Sequence, residues 1–352
     1  MSRNAPVFTV ITRLFILIGV SLFLPKAIAG ETIFSQAGIK SSTRVVVASD
    51  STATVALQPQ PAKVRELVNR GIFHFTEKTN LPLAWRTIVA SNDVVGIKVY
   101  STPGANSGTR PSVAASIIEG LLESGVPATN IIIWDKDLVQ LRLAGFDDLV
   151  EKYKIRIAAS STSGYDEKNF YESPLIGNLV WGDSEFGKKE TGAGRKSFVT
   201  KLVIDEITKI ISVVPLLNHN LAGTTGHLFN IASGGVDNIQ RFDKPDRLAI
   251  ALPEIYAMES LGDKVVLNIT DALLCQYQGE QRSLLHYSAA LNQIWFSKDP
   301  VALDVMAINE LQRQREMAGI PSKKKDLEIY DNAALLELGQ SDPKLIAIEN
   351  AP

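Results

Sequence analysis

The chain has 352 residues, 36 of them basic and 38 acidic, for a formal net charge of −2. Charges of both signs interspersed in this way exclude the basic stripe of a nucleic-acid reader and the polybasic patch of a membrane-surface protein. A single cysteine, Cys275, excludes an internal disulfide and, on this chain alone, a four-thiolate iron–sulfur cluster.

In chain order, the first feature is a targeting segment. Arg3 and Arg13 precede the apolar run LFILIGVSLFL at 14–24, and Ala27-Ile28-Ala29 has the small-x-small form of a cleavage site. The run falls short of the roughly 20 apolar residues a spanning helix needs. A signal peptide over 1–29, cleaved after Ala29, is therefore expected. The mature protein would be periplasmic or secreted, with no stable membrane anchor after cleavage; an uncleaved anchor is the alternative.

The remaining residues, 30–352, read as a single α/β domain. Apolar, β-branched runs predict strands at 44–48, 94–100, 130–134, 155–159, 210–214, 265–269, 293–296 and 345–348. Most lack two-residue alternation, which implies burial on both faces of a largely parallel sheet covered by helices. Between them, 111–123 has a helical apolar face with Pro111 at its start and Gly125 as its stop. The segment 299–319 is the longest helix pattern, capped by Asp299 and closed by Gly319 and Pro321. Residues 160–197 are rich in Gly, Ser, Tyr and charge, and read as an irregular insertion or small subdomain. Cys275 lies in the apolar DALLCQY, where a buried, unreactive thiol is expected.

Ligands in open α/β sheets bind beyond the carboxyl ends of the strands, and four such ends carry polar clusters. Lys98 ends VVGIKVY, and the loop after it leads through Thr109 and Arg110 to a helix start that suits a carboxylate or phosphate. No Lys-Ser or Lys-Thr follows its glycines, so it is not a Walker loop. Asp135 follows NIIIW as a strand-end acid. The stretch NHNLAGTTGHLFN at 218–230 gathers two of the chain's four histidines, His219 and His227, with Asn218, Thr225 and Asn230. Both imidazoles can change charge near neutral pH. Their eight-residue separation matches no established zinc spacing, so no metal ligand is assigned. Asp271 closes NITD, and Asp304 falls on the apolar stripe of the last long helix, where a carboxylate requires a partner.

The order of these pieces resembles the family called domain of unknown function 362. The pieces are VVGIKV with Lys98, the TRP at 109–111, IIIWDK, VVPLLNHNLAGTTGHLFN, NITDAL and SKDPVALD, followed by Arg315 and Gly319. The resemblance implies an α/β domain, often exported or accompanied by ferredoxin-like cysteine motifs, with no settled activity. Two departures stand out. Members commonly look like Lys-x-His at the strand end and Lys-Asn later in the loop, whereas here Asn218 precedes His219 and Phe229 precedes Asn230. The cysteine motifs are absent too.

The leading expectation is an exported enzyme acting on a small anionic molecule. Lys98 and Arg110 would hold the anion, His219 or His227 would move a proton, and Asp135 or Asp271 would orient the histidine. Thr109, Asn218, Thr225, Asn230 and Asp304 complete the expected binding shell. A Ser-His-Asp hydrolase is disfavoured because no G-x-S-x-G elbow occurs. The alternatives are a non-catalytic ligand-binding protein derived from an enzyme, favoured by the missing loop lysines, and a structural or assembly factor. The sequence names no cofactor, substrate or oligomeric state.

Overall fold

The computed structural model describes residues 43–173, 195–321 and 327–352. The expected signal segment 1–29 lies outside the described residues, as does 174–194 of the expected insertion. All of the described residues belong to one compact unit, Ser41–Pro352.

The described strands are β1 Thr43–Ser49, β2 Thr54–Val55, β3 Gln58–Pro59, β4 Val95–Lys98, β5 Ile131–Asp135, β6 Arg156–Ala159, β7 Tyr165–Glu172, β8 Lys196–Thr200, β9 Lys209–His219, β10 Gly223–Thr224, β11 Val265–Gln276, β12 Ser288–Ser297 and β13 Ile346–Ala351. The main sheet runs β13-β1-β12-β11-β9-β4-β5-β6, with β10 paired to β9. Only β12 and the short β10 run against their neighbours; the other pairings are parallel. The carboxyl ends of β4, β5, β6, β9 and β11 therefore share one rim. From the expected insertion, β7 and β8 form a separate antiparallel ribbon.

Successive side chains of a buried strand enter opposite layers. Ile131 and Ile133 of β5 pack with α1 Pro61–Thr76, α2 Leu81–Arg86, α3 Pro111–Ser124, α4 Leu138–Leu143 and α5 Asp147–Tyr153 on one face, and the short α6 Ser160–Ser163 follows β6. Ile132 and Trp134 pack on the other, with α7 His227–Gly235, α8 Pro245–Tyr256 and α10 Glu328–Leu335. Each such side chain contributes about 1.5–3 kcal/mol of burial, and this double coverage is why the strands read as unbroken apolar runs. The long helix α9 Pro300–Met317 begins where the sequence signals it, with the Asp299 carboxylate accepting from Ala302 N.

Two strands run further than their apolar cores. The expected strand at 210–214 extends to His219, and the one at 265–269 to Gln276. Pro215, which has no N–H to donate, sits inside β9 without breaking it. Its position coincides with a register shift in β11, from Asp271↔Pro215 to Cys275↔Leu216, while β4 has already ended opposite Ser212. On one side β4 has ended, and on the other the β11 ladder shifts immediately after the Asp271 pairing, so the proline sits where regular bonding is already breaking up. This overhang of β9 builds the wall of the cavity described next.

Candidate functional site

Lys98 is the last residue of β4, and its side chain points toward the α7 layer, fully buried. Its ammonium donates to Asp135 Oδ1 at 2.7 Å, Asn230 Oδ1 at 2.7 Å and Val99 O at 2.8 Å. Those three bonds exhaust its donors. Burial pulls Lys98 below the usual lysine range, against the opposing pull of Asp135. The stem fits only because residue 234 is glycine: a Cβ there would lie 2.0 Å from Lys98 Cε.

Asp135 is equally satisfied. Oδ1 also accepts from Lys136 N at 2.7 Å, and Oδ2 accepts from Ser101 N at 2.8 Å and Ser101 Oγ at 2.6 Å. Arg110 forms a second buried pair, with Nη1 2.9 Å from Asp271 Oδ2 and its backbone N donating to the same oxygen at 3.1 Å. The other Asp271 oxygen accepts from Leu273 N. Thr109 Oγ1 donates to Val213 O and accepts from Tyr100 N. The two cations expected to hold an anion are thus each matched to an internal carboxylate, and neither Asp135 nor Asp271 contacts a histidine in any described hydrogen bond.

The histidines separate in the same way. His227 is fully buried, with Nδ1 2.9 Å from Ser212 Oγ and Nε2 3.1 Å from Thr270 Oγ1. Burial pulls it down to about 3, so the ring is neutral at physiological pH. Its backbone N and that of Leu228 donate to Asp304 at 2.6 and 3.1 Å. Asp304 therefore fastens the amino end of α7 to α9, packed against Gly226, where a Cβ would lie 2.1 Å from its Oδ1. Burial pushes Asp304 up to about 7, and the two N–H groups oppose that shift. Asn218 Oδ1 accepts from Glu280 N and so braces the neighbouring loop. Thr225 Oγ1 is buried and meets no partner.

His219 stands apart from this sealed network, at the end of the overhanging β9. It lines a cavity of ≈ 380 Å³ with Tyr100, Phe229, Lys136, Asp135 and Gln281. A second hollow of ≈ 600 Å³ shares His219, Leu221, Asp243 and Gln281 with it. Nδ1 of His219 accepts from Leu221 N at 3.3 Å and Ala222 N at 3.0 Å. The proton of the neutral ring therefore sits on Nε2, which no described group meets. Burial lowers the pKa of His219, with Glu280 and Asp243 pulling the other way. The ring lies 4.3 Å from that of Phe229, centroid to centroid, and Phe229 lies 6.5 Å from Tyr100.

Of the residues singled out in the sequence, the cavity exposes His219 and the edge of Asp135. Lys98, Thr109, Arg110, Asn230, Asp271 and Asp304 form the scaffold behind it, together with His227. Tyr100 and Gln281 are lining residues that the sequence reading did not single out; the place of Tyr100 at a strand end, two residues after Lys98, is the signal that could have found it. Lys136 Nζ donates to Val236 O and Asp237 O, and burial draws it down to about 8 against the pull of Asp237 and Asp135.

No family model matches the sequence, and a search of curated proteins found no match. Among solved structures, the chain is similar to a protein from Thermotoga maritima determined by a structural genomics consortium, at 12% identity and a TM-score of 0.39. The likeness covers 76% of this chain and 61% of that one.

Proposed function

We propose that this is an exported protein that binds a small polar molecule in the ≈ 380 Å³ cavity at the sheet rim, with His219 Nε2–H donating to an acceptor on the ligand. The observation that carries this reading is the pinning of His219. Two backbone N–H groups hold Nδ1, which fixes both tautomer and ring orientation and leaves Nε2–H without a partner in any described hydrogen bond, on a ring that lines the cavity. The export part rests on the apolar run at 14–24 and the Ala27-Ile28-Ala29 site. The motif order resembling domain of unknown function 362 belongs to the same proposal.

The geometry favours binding over turnover, and a neutral acceptor over a strong anion. Acid–base catalysis places a proton-active group within hydrogen-bond reach of the proton it moves. Here His227 is sealed, the ammonium of Lys136 is engaged by two carbonyls, and Asp135 is held by four internal donors, which leaves His219 with Asp237 and Asp243 on the cavity wall. Lys98 and Arg110 are neutralised by Asp135 and Asp271, so an anion gains no free cation from them. A catalytic reading retains one supporting observation, the depression of Lys136 to about 8, which places a partly deprotonated amine beside the cavity near neutral pH.

The test is a titration of protein labelled with 15N-histidine against a panel of small amides, alcohols and carboxylates. Binding molecules should shift His219 Nε2 and leave His227 unmoved, with amides and alcohols binding at least as well as carboxylates. Hits that leave His219 unmoved would place the site elsewhere. Carboxylates that bind best, and lose affinity in Lys98→Met, would restore the anion reading.

A further inference from the structure

We propose that the cavity is a slot for a single planar ring that stacks along the Phe229 wall and presents an oxygen acceptor to the Tyr100 hydroxyl. This inference rests on the reading of the cavity as a ligand site and names the class of ligand. The wall consists of three rings from three separate elements: Tyr100 just past β4, His219 at the end of β9 and Phe229 on α7. His219 and Phe229 lie 4.3 Å apart at 42°, and Tyr100 meets Phe229 edge-on at 6.5 Å and 67°. Tyr100 and His219 stand at strand ends and Phe229 on a helix, so the wall is formed before any ligand arrives. Leu221 and Leu248 continue its apolar surface into the cavity.

The polar end of the slot is defined by an unmet group. Tyr100 is only 4% exposed, and its hydroxyl, near the side chains of Thr102 and Gln281 on the cavity wall, completes no hydrogen bond of good geometry with either. Buried hydroxyls in folded proteins nearly always have one, so the missing partner points to a ligand atom. Burial, reinforced by Asp135, raises the phenol well above its ordinary range against the opposing pull of Thr102 and Gln281. The group therefore stays protonated and donates, which makes the ligand atom an acceptor. The His219 ring is kept neutral by its own burial and serves as an aromatic surface carrying one further donor. At ≈ 380 Å³ the cavity lies at the small end of ligand pockets, large enough for one substituted ring.

The experiment measures the affinity of the full chain for benzamide, cyclohexanecarboxamide and acetamide by calorimetry, with melting temperatures recorded for each variant. Benzamide should bind about fivefold more tightly than its saturated counterpart, the range of an aromatic contact. Phe229→Leu, which keeps the apolar surface and removes the ring, should erase that preference. Tyr100→Phe should weaken benzamide about fivefold, the worth of one hydrogen bond, with little change in the melting temperature, because the hydroxyl completes no hydrogen bond of good geometry in the free protein. Equal affinity for benzamide and cyclohexanecarboxamide would overturn the ring slot and leave the binding site standing. A Tyr100→Phe protein that melts lower yet binds unchanged would show the hydroxyl to be structural and overturn its assignment. Absence of binding by any of the three amides would overturn both the slot and the binding site.

Discussion

Lys98 shows how one side chain can carry the identity of a functional lysine and the chemistry of a structural one. Its three donors are all used inside the protein, and its carboxylate partner is itself held by four donors. Removing one member of such a pair leaves a buried charge without compensation. Lys98→Met is therefore expected to destabilise the protein by about 3–5 kcal/mol, measured by urea unfolding at neutral pH. Adding Asp135→Asn should recover part of that loss, because an amide is cheaper to bury than an unpaired carboxylate. Gly234→Ala tests the same packing from the opposite side. A methyl group there collides with the Lys98 stem, and an overpacking cost of about 1–3 kcal/mol is expected. Unchanged stability in either variant would mean that Lys98 is not confined as described.

Helix α7 is the element that sorts the two histidines. Residues two apart on a helix point roughly 200° apart, at about 100° each. His227 consequently faces the sheet and meets Ser212 and Thr270, while Phe229 faces the cavity. What sets that phase is the Asp304 carboxylate at the helix start, which receives the N–H groups of His227 and Leu228. Asp304→Ala removes both acceptors and should cost about 2 kcal/mol, the upper end for a lost helix cap. Amide hydrogen exchange at His227 and Leu228 should accelerate more than exchange in the core of β5. A uniform acceleration throughout the sheet would show that α7 does not respond as a separate element.

At the scale of the whole molecule, buried titrating groups impose a pH profile on stability. The pKa of Asp304 rises from 3.8 to about 7 on folding. Its contribution is fully present below pH 3.8 and is lost as pH rises through 7. The pKa of His227 falls from 6.5 to about 3. Its contribution is present above pH 6.5 and is lost as pH falls through 3. Between pH 3.8 and 6.5 the two slopes are opposite and cancel. Lys136, lowered from 10.5 to about 8, adds stability as pH rises from 8 to 10.5. The wild-type protein should thus show little net dependence from these groups across the acidic window, whereas Asp304→Asn should become steadily more stable from pH 3 to 6.5. Urea midpoints measured across that range would decide it; parallel profiles for the two proteins would rule out the raised Asp304.

The sequence by itself determined the alternation of strands and helices, the burial of the sheet on both faces, and the rim at which polar side chains collect. These are local properties: apolar periodicity, proline and glycine punctuation, and capping residues all act within a few positions of the chain. It also marked His219, as a histidine in the polar stretch that follows the apolar run IISVVPLL, although the strand itself was expected to end at 214. Only the tertiary structure decided which polar groups remain available. Lys98 finds Asp135 37 positions away, and Arg110 finds Asp271 161 positions away. Ion pairing between strands depends on sheet order and register, which no local pattern encodes. The extra length of β9 was hidden for a related reason, since Pro215 is tolerated because β4 has ended and the β11 register shifts just beyond it, and both depend on the neighbouring strands. The phase of α7, set by a carboxylate on a different helix, sealed one imidazole in the core and placed a phenylalanine beside the other.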